Sequence, residues 1–495
     1  MTNASPRDVI IIGAGILGCM TARALARYKL DVLVVEATGD VGSGSTKSNS
    51  GLIQTGFHAR GGSLKGTSCV QGNARYDEIA DELQIPFIRC GALLVAFHEE
   101  GLEQIEKKRD RAFKNGAGKL RVISGDEARE MEPRLSERVI AAMDAPTTGI
   151  ISPFQLVLAT SRNAAANGVQ FEFGFEVEKV ERAGSGYRLI AKDGREVTAR
   201  YIVNMAGGMA APIDAFVHPA DLVIKPRRGQ FIVFDKQRET PVSSDFRLPI
   251  KHVLFQAQEH DEGGTLLAPT VEGNLIAGPT SENVRGFFDN ATTEEGLEHV
   301  MRVVRKLIPD MEIGDAITEF AGVRPNIVNI DKELKDFVVR VSAPGFVSAL
   351  GIKNPGMTSS PVLADLAVSL LEKEGLRLEE DPDFDPRDQG NHLKPFLQCS
   401  PSEQREMLER DERFGHVVCR CEQITEGDIR ACMHELNPPT TLDGLKRRLR
   451  VGAGRCQGSF CAPRAVEIMA EEMGCSPSDV LKNERGGRMV ARRVK

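Results

Sequence analysis

A glycine triplet near the N-terminus constrains the fold of this chain more than any other feature. Gly13, Gly15 and Gly18 follow a β-branched run at residues 9–12 and open a stretch with helical spacing at residues 16–28. The first glycine permits a tight turn, the second lets the backbone approach a pyrophosphate, and the third allows close packing of helix and strand. We therefore predict a Rossmann-like βαβ unit at the start of the chain.

The second strand of this unit places an acidic residue where a ribose is held. Residues 31–35 form an apolar run that ends at Glu36, and a carboxylate at this point binds a ribose hydroxyl in dinucleotide sites. The N-terminus of the helix presents free N–H groups to the phosphates. Together these features predict a bound dinucleotide, and they leave open whether it is NAD or FAD.

Four cysteines near the C-terminus form two close pairs. Cys419 and Cys421 are separated by one residue, and Cys456 and Cys461 by four. Zinc sites typically use pairs with two to four intervening residues, so the first gap is unusual for zinc. A tetrathiolate [2Fe–2S] site places two cysteines on each iron. The spacing favours such a cluster. A zinc site, or cysteines that bind no metal and only fill a core, remain alternatives.

The other six cysteines have no partner at ligand spacing and are predicted to be small buried hydrophobes: Cys19, Cys69, Cys90, Cys399, Cys432 and Cys475.

The bulk composition excludes some classes of protein. A chain of 495 residues is expected to form two to four domains. The net charge of -7 gives no reason to expect nucleic acid as a partner. The start of the chain lacks the apolar core of a signal peptide, and no apolar run is long enough to span a membrane. We therefore expect a cytoplasmic protein, whose cysteines are ligands or core residues rather than disulfides.

The middle of the chain has the pattern of an antiparallel meander. Lys-Asp-Gly and Ala-Gly-Ser-Gly turns separate short strand-like runs. An acidic, proline-containing stretch at 379–386 then indicates a linker. The main predicted strands are 177–182, 187–192, 196–197, 201–205, 229–234, 253–256, 275–277, 337–340 and 346–349. The main predicted helices are 68–84, 99–115, 293–307 and 361–373.

Three glycine-rich segments resemble the FAD-binding segments of the D-amino-acid oxidase and glycerol-3-phosphate dehydrogenase superfamily. They are residues 42–51, 204–208 and 351–358, and the resemblance covers residues 8–372. It implies FAD as the cofactor, with Gly207 near the adenosine and residues 356–358 near the isoalloxazine. The implied FAD-binding residues are Gly13, Gly15, Gly18, Glu36, Ser45, Thr46, Asn49, Ser50, Gly51, Ala206, Gly207, Gly356, Met357 and Thr358.

The cysteine region resembles the bacterioferritin-associated ferredoxin-like [2Fe–2S] module. Its residues 418–422 and 452–461 are similar to the module fused to anaerobic-type members of the same superfamily. The resemblance implies a [2Fe–2S] cluster on Cys419, Cys421, Cys456 and Cys461. The same region is rich in cations, which either offset the cluster's charge, form a docking patch or lie on a solvated face: Lys446, Arg447, Arg448, Arg450, Arg455 and Arg464.

The predicted fold class is α/β and α+β. It combines a Rossmann-like FAD-binding domain, an inserted antiparallel-sheet substrate domain and a small helical [2Fe–2S] module. We assign residues 1–85, 147–225 and 325–375 to the FAD-binding domain and residues 86–146 and 226–324 to the substrate domain. Residues 376–415 are assigned to a linker and residues 416–495 to the module with a basic tail.

The resemblance also implies candidate residues for the substrate site. Arg324 lies where the superfamily has a substrate-binding arginine, and Lys353 lies beside the flavin loop. Lys251 and His252 in the central sheet are further candidates, for which a role at the substrate and a surface salt bridge are equally favoured. Gln54 occupies the position where relatives usually carry a histidine, and an amide cannot act as a general base near neutral pH.

His58, four residues after Gln54, is the alternative base, although a structural role is favoured for it.

The sequence therefore predicts an FAD-dependent dehydrogenase of a small polar CH–OH substrate, with glycerol 3-phosphate as the leading candidate. Electrons would pass from flavin to the cluster and on to an acceptor protein or a quinone-linked subunit. The substrate is expected to be anionic, and membrane association through a partner and oligomer formation are left open. The alternatives are a 2-hydroxy acid dehydrogenase similar to those for 2-hydroxyglutarate, a secondary-amine or imino-acid dehydrogenase, an oxidase that ignores the cluster, and a redox sensor or electron-transfer subunit.

Overall fold

The computed structural model describes residues 6–236, 249–257, 264–329, 332–334, 336–388, 394–484 and 486–490. Its helices are α1 (Ile16–Leu25), α2 (Leu64–Asn73), α3 (Tyr76–Glu82), α4 (Glu99–Lys114), α5 (Gly125–Met131), α6 (Pro153–Ala166), α7 (Ala210–Asp214), α8 (Glu294–Leu307), α9 (Gly356–Lys373), α10 (Pro401–Arg410), α11 (Glu426–Cys432), α12 (Leu442–Leu449) and α13 (Ala462–Met473).

The strands are β1 (Arg7–Ile12), β2 (Val32–Glu36), β3 (Leu52–Ile53), β4 (Phe87–Ile88), β5 (Ala92–Ala96), β6 (Arg121–Ser124), β7 (Ala141–Asp144), β8 (Gly149–Ile151), β9 (Gln170–Phe173), β10 (Val177–Ala183), β11 (Gly186–Ala191), β12 (Glu196–Asn204), β13 (Leu222–Phe234), β14 (Val253–Gln256), β15 (Leu266–Pro269), β16 (Leu275–Gly278), β17 (Glu282–Asn283), β18 (Ala316–Asn329), β19 (Lys332–Glu333), β20 (Val338–Ala343), β21 (Phe346–Leu350), β22 (Val417–Cys419) and β23 (Ile424–Thr425).

The first sheet carries the predicted Rossmann-like unit. Its path runs β10-β11-β12-β1-β2-β9, with β21 also beside β12 and β20 beside β21. Strand β1 pairs in parallel with both β2 and β12. Val9 and Ile11 pack in one apolar cluster with helices α1, α6 and α9, whereas Ile10 and Ile12 pack in a second cluster on the opposite face. Burial on both faces explains why this strand is continuously apolar.

The second sheet is largely antiparallel and belongs to the predicted substrate domain. Its path runs β19-β18-β13-β16-β15-β14-β5-β7-β6, with β17 also paired to β13. The long strands β13 and β18 pair along almost their whole length. Helix α8 begins at its N-cap Thr293, and its buried Val300, Val304 and Leu307 cover one face of the sheet. Helix α4 covers the other face near β5.

The C-terminal module has its own core. Helices α11, α12 and α13 bury Ile429, Leu445 and Met469 in one apolar cluster with Cys419 and Cys461. Residues 376–415, predicted as a linker, include α10, and Glu379 and Asp388 pair with Lys29 and Arg162 of the FAD-binding region. Residues 389–393 of that range lie outside the described residues. The domain boundaries themselves stay a prediction.

Helix α9 begins five residues earlier than predicted. Pro361 reads in the sequence as a first-turn proline, but it lies inside the helix. A proline there cannot donate to the carbonyl oxygen of Met357, four residues before it. The hydroxyl groups of Tyr76 and Ser360 donate to that oxygen instead. The helix therefore tolerates the proline, and its N-terminus lies in the predicted flavin segment.

Further predicted elements were also wrong in their bounds. The region 68–84 forms two helices, α2 and α3, because the chain turns near Ala74 and Arg75. The separate strands predicted at 196–197 and 201–205 are the single strand β12, which β11 and β1 hold from both sides. Strand β13 begins at Leu222 rather than 229, since β18 pairs with it throughout.

Among the described residues, none of the helices combines the length and the apolar character needed to cross a bilayer.

Candidate active site and cysteine cluster

The predicted glycine turn has the geometry that a dinucleotide site needs. Gly13 has a φ of +100°, and a Cβ there would lie 2.8 Å from the carbonyl oxygen of Met205. A Cβ on Gly18 would overlap the carbonyl oxygen of Gly13. Helix α1 begins after Gly15 with no side chain capping it. Its first N–H groups therefore face the turn with the positive end of the helix dipole behind them, which suits a pyrophosphate.

Glu36 lies beside this turn and retains room for one further hydrogen bond. One carboxylate oxygen, Oε1, accepts from the backbone N–H and the hydroxyl of Thr38 at 2.9 and 2.8 Å. The other, Oε2, accepts the N–H of Ala14 at 2.8 Å. A carboxylate oxygen has two lone pairs, so Oε2 can also accept a ribose hydroxyl. Burial raises the pKa of Glu36, and these hydrogen bonds act in the opposite direction.

The segment 42–51 connects the glycine turn to the second sheet. Thr46 Oγ1 accepts the N–H of Ile16 at 3.1 Å, which places it at the start of α1. Ser45 donates its hydroxyl proton to the carbonyl oxygen of Val323 in β18 at 2.9 Å. Asn49 Oδ1 accepts the N–H of Gly51 at 2.8 Å and shapes the end of the loop. The loop thus lies between the two sheets, as a cofactor bridging the two domains requires.

The other two predicted FAD segments converge on the same region. Ala206 lies two residues after the end of β12, and a Cβ on Gly13 would lie 3.0 Å from its Cα. Gly207 has a φ of +55° and an open space where its Cβ would be. At the third segment, helix α9 begins at Gly356 without a side-chain cap. The hydroxyl of Thr358 donates to the carbonyl oxygen of Leu52 at 3.2 Å and accepts the N–H of Gln54 at 3.1 Å.

Two arginines of the second sheet lie side by side at its long strand pair. Arg324 in β18 donates to the carbonyl oxygen of Thr280 at 2.8 Å and to the Ser281 hydroxyl at 3.3 Å. Arg227 of β13 is its register partner, and directly opposed residues of antiparallel strands point to the same face. The sequence reasoning missed Arg227, because only the strand register brings it beside Arg324.

Gln54 and the segment that holds Lys353 are in contact. The Gln54 side chain is 6% exposed, and its Nε2 donates to the Oδ1 of Asn354 at 2.6 Å. Asn354 is the neighbour of Lys353 at the start of the flavin segment. The structure therefore brings the positions of Gln54, Lys353 and Thr358 together, and the individual catalytic roles stay predictions.

The ring nitrogens of His58 are buried and have no hydrogen-bond partner among the described residues. The ring packs against Phe57 and Phe255, with centroid distances of 4.3 and 5.0 Å. Burial lowers the pKa of His58 well below its usual value, and Lys108 and Lys65 add to the shift. A neutral, packed ring fits the structural role favoured for this histidine.

His252 lies at the start of β14 and contacts a buried carboxylate. Its Nδ1 is 3.2 Å from Glu132 Oε2, and the same oxygen accepts the backbone N–H groups of Lys251 and His252 at 3.0 Å each. The Glu132 side chain has no exposed surface. These bonds anchor the strand, and a catalytic role for His252 stays a prediction.

The four predicted cysteine ligands come together in the C-terminal module. The sulfur atoms of Cys421 and Cys456 are 3.7 Å apart. Contact with the Cys461 thiol and backbone N–H groups of Gly452 and Glu422 lower the pKa of Cys419 to about 6. N–H groups of Phe460 and Gly458 likewise lower the pKa of Cys456. Contact with Cys419 and burial raise the pKa of Cys461, and burial and the Cys456 thiol raise that of Cys421, so in each contacting pair one thiol is the more acidic. The close approach of the four thiols fits the ligand set of a thiolate cluster.

The surroundings of these sulfurs also fit a cluster near the surface. Cys419 and Cys461 are buried, whereas Cys421 is exposed. A Cβ on Gly454 would lie 3.4 Å from the Cys421 sulfur, so a larger residue would crowd it. Outside this group, burial raises the pKa of Cys69 to about 12, as expected for a thiol in a core.

The five arginines singled out in the sequence of the module are paired with acids. Arg450 Nε donates to Glu422 at 2.9 Å, and Arg464 contacts Glu426 at 3.1 Å. Arg455 Nε donates to Asp235 of the second sheet at 2.7 Å. The pairing to Asp235, which follows β13, joins the module to the second sheet.

Comparison with known protein families accounts for both ends of the chain. Residues 8–370 match the model of the family described as "FAD dependent oxidoreductase". Residues 417–471 match the model described as "BFD-like [2Fe-2S] binding domain". The first match covers well over half of the chain and corresponds to the glycine turn and both sheets. The second includes all four clustered cysteines.

Several known proteins are similar to most of this chain. A glycerol 3-phosphate dehydrogenase of Caloramator mitchellensis is 37% identical over 481 residues, which cover 97% of this chain and 97% of the relative. A glycerol 3-phosphate oxidase of Mycoplasma pneumoniae is 28% identical over 74% of this chain and 94% of its own length. The solved structure of the dithionite-reduced L-alpha-glycerophosphate oxidase of Mycoplasma pneumoniae with FAD bound superposes with a TM-score of 0.71. It is 26% identical and covers 78% of this chain and 98% of its own.

These findings confirm the predicted fold class and cofactors, FAD and a [2Fe–2S] cluster.

Proposed function

The chain belongs to the family of FAD-dependent oxidoreductases and carries a BFD-like [2Fe–2S] binding domain, and from this we infer that it is a glycerol 3-phosphate dehydrogenase. The observation that carries the proposal is its likeness to the dehydrogenase of Caloramator mitchellensis over 97% of both chains. The oxidase relative covers only 74% of this chain. A chain with an added cysteine module suits electron delivery to an acceptor other than oxygen.

The reaction removes a hydride from the C2 carbon of glycerol 3-phosphate and a proton from its hydroxyl group, which leaves a ketone. FAD, when bound, takes the hydride, and the [2Fe–2S] cluster passes the electrons on one at a time. The residues that would hold FAD are those of the glycine turn, Glu36, the loop 42–51, Gly207 and the start of α9. Two helix starts whose N-cap residues, Gly15 and Pro355, make no side-chain cap and the open side of Gly207 support this assignment.

Arg324 and Arg227 are proposed to bind the phosphate group. Two planar guanidinium groups on one face of the sheet match the charge of a phosphate and can donate paired hydrogen bonds to its oxygens. Ser45 binds Val323, the neighbour of Arg324, so this face adjoins the loop that would hold FAD. Lys353 and Gln54 are proposed to orient the substrate hydroxyl. Because the Gln54 amide does not titrate, the proton is expected to leave through another group or water.

The acceptor of the electrons is proposed to be a protein or a quinone-linked subunit that reaches the exposed Cys421 edge of the cluster. Membrane association through such a partner and an oligomeric state stay predictions, and so does a cytoplasmic location.

Substrate competition tests the proposal. Anaerobically purified protein is assayed by reduction of an artificial electron acceptor with glycerol 3-phosphate, 2-hydroxyglutarate and proline in parallel. We expect kcat/KM to be highest for glycerol 3-phosphate, because the paired arginines favour a single phosphate group that carries both charges, whereas 2-hydroxyglutarate carries its two charges on separate carboxylates. A higher value for 2-hydroxyglutarate or proline would contradict the proposed substrate while leaving the cofactors untouched.

Substitution of Gly18 by alanine is expected to lower the bound FAD by about tenfold or more, because a Cβ there overlaps the Gly13 carbonyl and opens the turn. The measurement is the flavin absorbance per chain after purification. Gly314→Ala is the matched control, since a Cβ at Gly314 meets no atom of the described chain within 4 Å. Equal flavin content in the two variants would contradict the assignment of the turn.

A further inference from the structure

A buried group of ion pairs joins the cysteine module to residues 37–51, the segment after β2 that we call the dinucleotide loop. We call Asp40, Arg447, Arg448 and Glu484 the Asp40 clamp. Arg448 binds Asp40 in a bidentate manner, with Nη1 2.7 Å from Oδ2 and Nη2 2.8 Å from Oδ1. Arg447 Nη2 donates to the same Oδ2 at 2.7 Å and also to Glu484. Both arginines belong to α12, whereas Asp40 lies four residues after the end of β2.

The clamp is hidden from solvent. The side chains of Asp40 and Arg448 are 2% and 1% exposed. Burial alone would raise the pKa of Asp40, but the hydrogen bonds from Arg448 and Arg447 lower it, so the carboxylate stays charged. A buried charge that loses its partner is strongly destabilising. The two sides of the clamp therefore hold each other far more firmly than an exposed ion pair would.

Asp40 is tied to the residues that form the dinucleotide site. Its Oδ1 accepts the N–H of Val41 at 2.8 Å, and its carbonyl oxygen lies 3.0 Å from the Thr38 hydroxyl, which shares its one proton between this oxygen and Glu36. Thr38 is the residue that binds Glu36 through two bonds. Two residues further, the N–H of Gly42 donates to the carbonyl oxygen of Ala14 in the glycine turn at 2.9 Å. The position of Asp40 thus ties the segment after Glu36 to the glycine turn that precedes α1.

The module side of the clamp is equally fixed. Arg448 Nη2 donates to the carbonyl oxygen of Asn437 at 2.7 Å, and Nη1 donates to that of Gly444 at 3.1 Å. Glu484 also lies 3.6 Å from Lys47, a second residue of the dinucleotide loop. Two points of the loop are therefore held by the module.

We propose that the Asp40 clamp makes the cysteine module a structural part of the FAD site, so that FAD binding and the docking of α12 stabilise each other. The loop that Asp40 anchors must hold one shape to bind FAD, and the same shape presents the carboxylate to Arg447 and Arg448. Coupling of two binding events is reciprocal by thermodynamic necessity. FAD therefore tightens the docking of α12 by the same factor by which the docked module tightens FAD binding.

The test compares two chemically equal substitutions in the full chain. Asp40→Asn removes the negative charge that Arg447 and Arg448 bind in the clamp. Asp235→Asn removes the negative charge that Arg455 binds at another contact of the module, beside the second sheet. FAD is removed from each purified protein, and its dissociation constant is measured by flavin fluorescence during titration with FAD. We expect about a tenfold weaker affinity for Asp40→Asn and less than about a twofold change for Asp235→Asn.

Hydrogen exchange of α12 supplies the reciprocal measurement. In the unsubstituted protein, FAD is expected to slow the exchange of the amides of Leu442–Leu449 at least about fivefold, and this slowing is expected to be lost in Asp40→Asn. The cluster absorbance per chain checks that the module stays folded. If Asp40→Asn fails to fold, the effect of FAD on the hydrogen exchange of α12 in the unsubstituted protein decides whether the two are coupled.

Wild-type FAD affinity in a folded Asp40→Asn, or α12 exchange that does not respond to FAD, would overturn the coupling. The readouts involve no substrate, so they are independent of whether glycerol 3-phosphate is the substrate.

Discussion

Replacing Cys421 by serine is expected to abolish the [2Fe–2S] cluster while leaving FAD in place. The four sulfurs meet in one place, with Cys421 3.7 Å from Cys456 at the exposed edge. Loss of one thiolate removes one of the two protein ligands of one iron, so cluster content and acceptor-linked turnover are each expected to fall about a hundredfold. The measurements are the visible spectrum, the iron content and the steady-state rate with an artificial acceptor.

Cys475→Ser is the matched control for this variant. Cys475 lies in the same module, but it is not one of the four clustered thiols, so its replacement is expected to leave the cluster intact. Flavin reduction by substrate should survive in Cys421→Ser, because the glycine turn and both sheets are unchanged. Unimpaired turnover with rapid formation of hydrogen peroxide in Cys421→Ser would contradict the account and identify an oxidase that ignores the cluster.

Replacing Arg324 by glutamine is expected to lower kcat/KM for glycerol 3-phosphate about a hundredfold or more, because a desolvated charge pair with the phosphate is worth several kcal/mol. Its guanidinium is held by Thr280 and Ser281 and lies opposite Arg227. The bound FAD should not change, since the arginine lies in β18 and not in any of the segments that would hold FAD. The rate of flavin reduction against substrate concentration measures the effect.

Arg302→Gln is the control for Arg324, because Arg302 is an exposed residue of α8 in the same domain. Arg227→Gln should resemble Arg324→Gln if both guanidinium groups bind the phosphate. A loss of FAD in Arg324→Gln, or equal kinetics of Arg324→Gln and Arg302→Gln, would contradict a substrate role.

The parts of the site that were predictable are those encoded by local spacing. Gly13, Gly15 and Gly18 are needed because of contacts within a few residues of each other or with the adjacent strand, so a short pattern reveals them. The cysteine pairs were predictable for the same reason, since two ligands of one metal site lie close together in the sequence. The strongly periodic helix α8 was predicted to within one residue for the same reason.

The parts that escaped prediction depend on contacts between distant segments. Arg227 comes beside Arg324 only through the register of β13 and β18. The bond between Asp40 and Arg448 joins residues 408 positions apart, and neither residue belongs to a motif. Helix α9 begins before Pro361 because Tyr76, almost 300 residues earlier, takes over the carbonyl that the proline leaves without a donor. Such tertiary contacts have no local signal.

The most direct test of the central claim is an anaerobic titration of the purified protein with glycerol 3-phosphate, followed by visible spectroscopy. We expect the flavin band to bleach first and the absorbance of the [2Fe–2S] cluster to fall afterwards, because the hydride enters at FAD and the electrons leave through the cluster. A protein that contains both chromophores and shows no change in either on addition of glycerol 3-phosphate would contradict the proposed function.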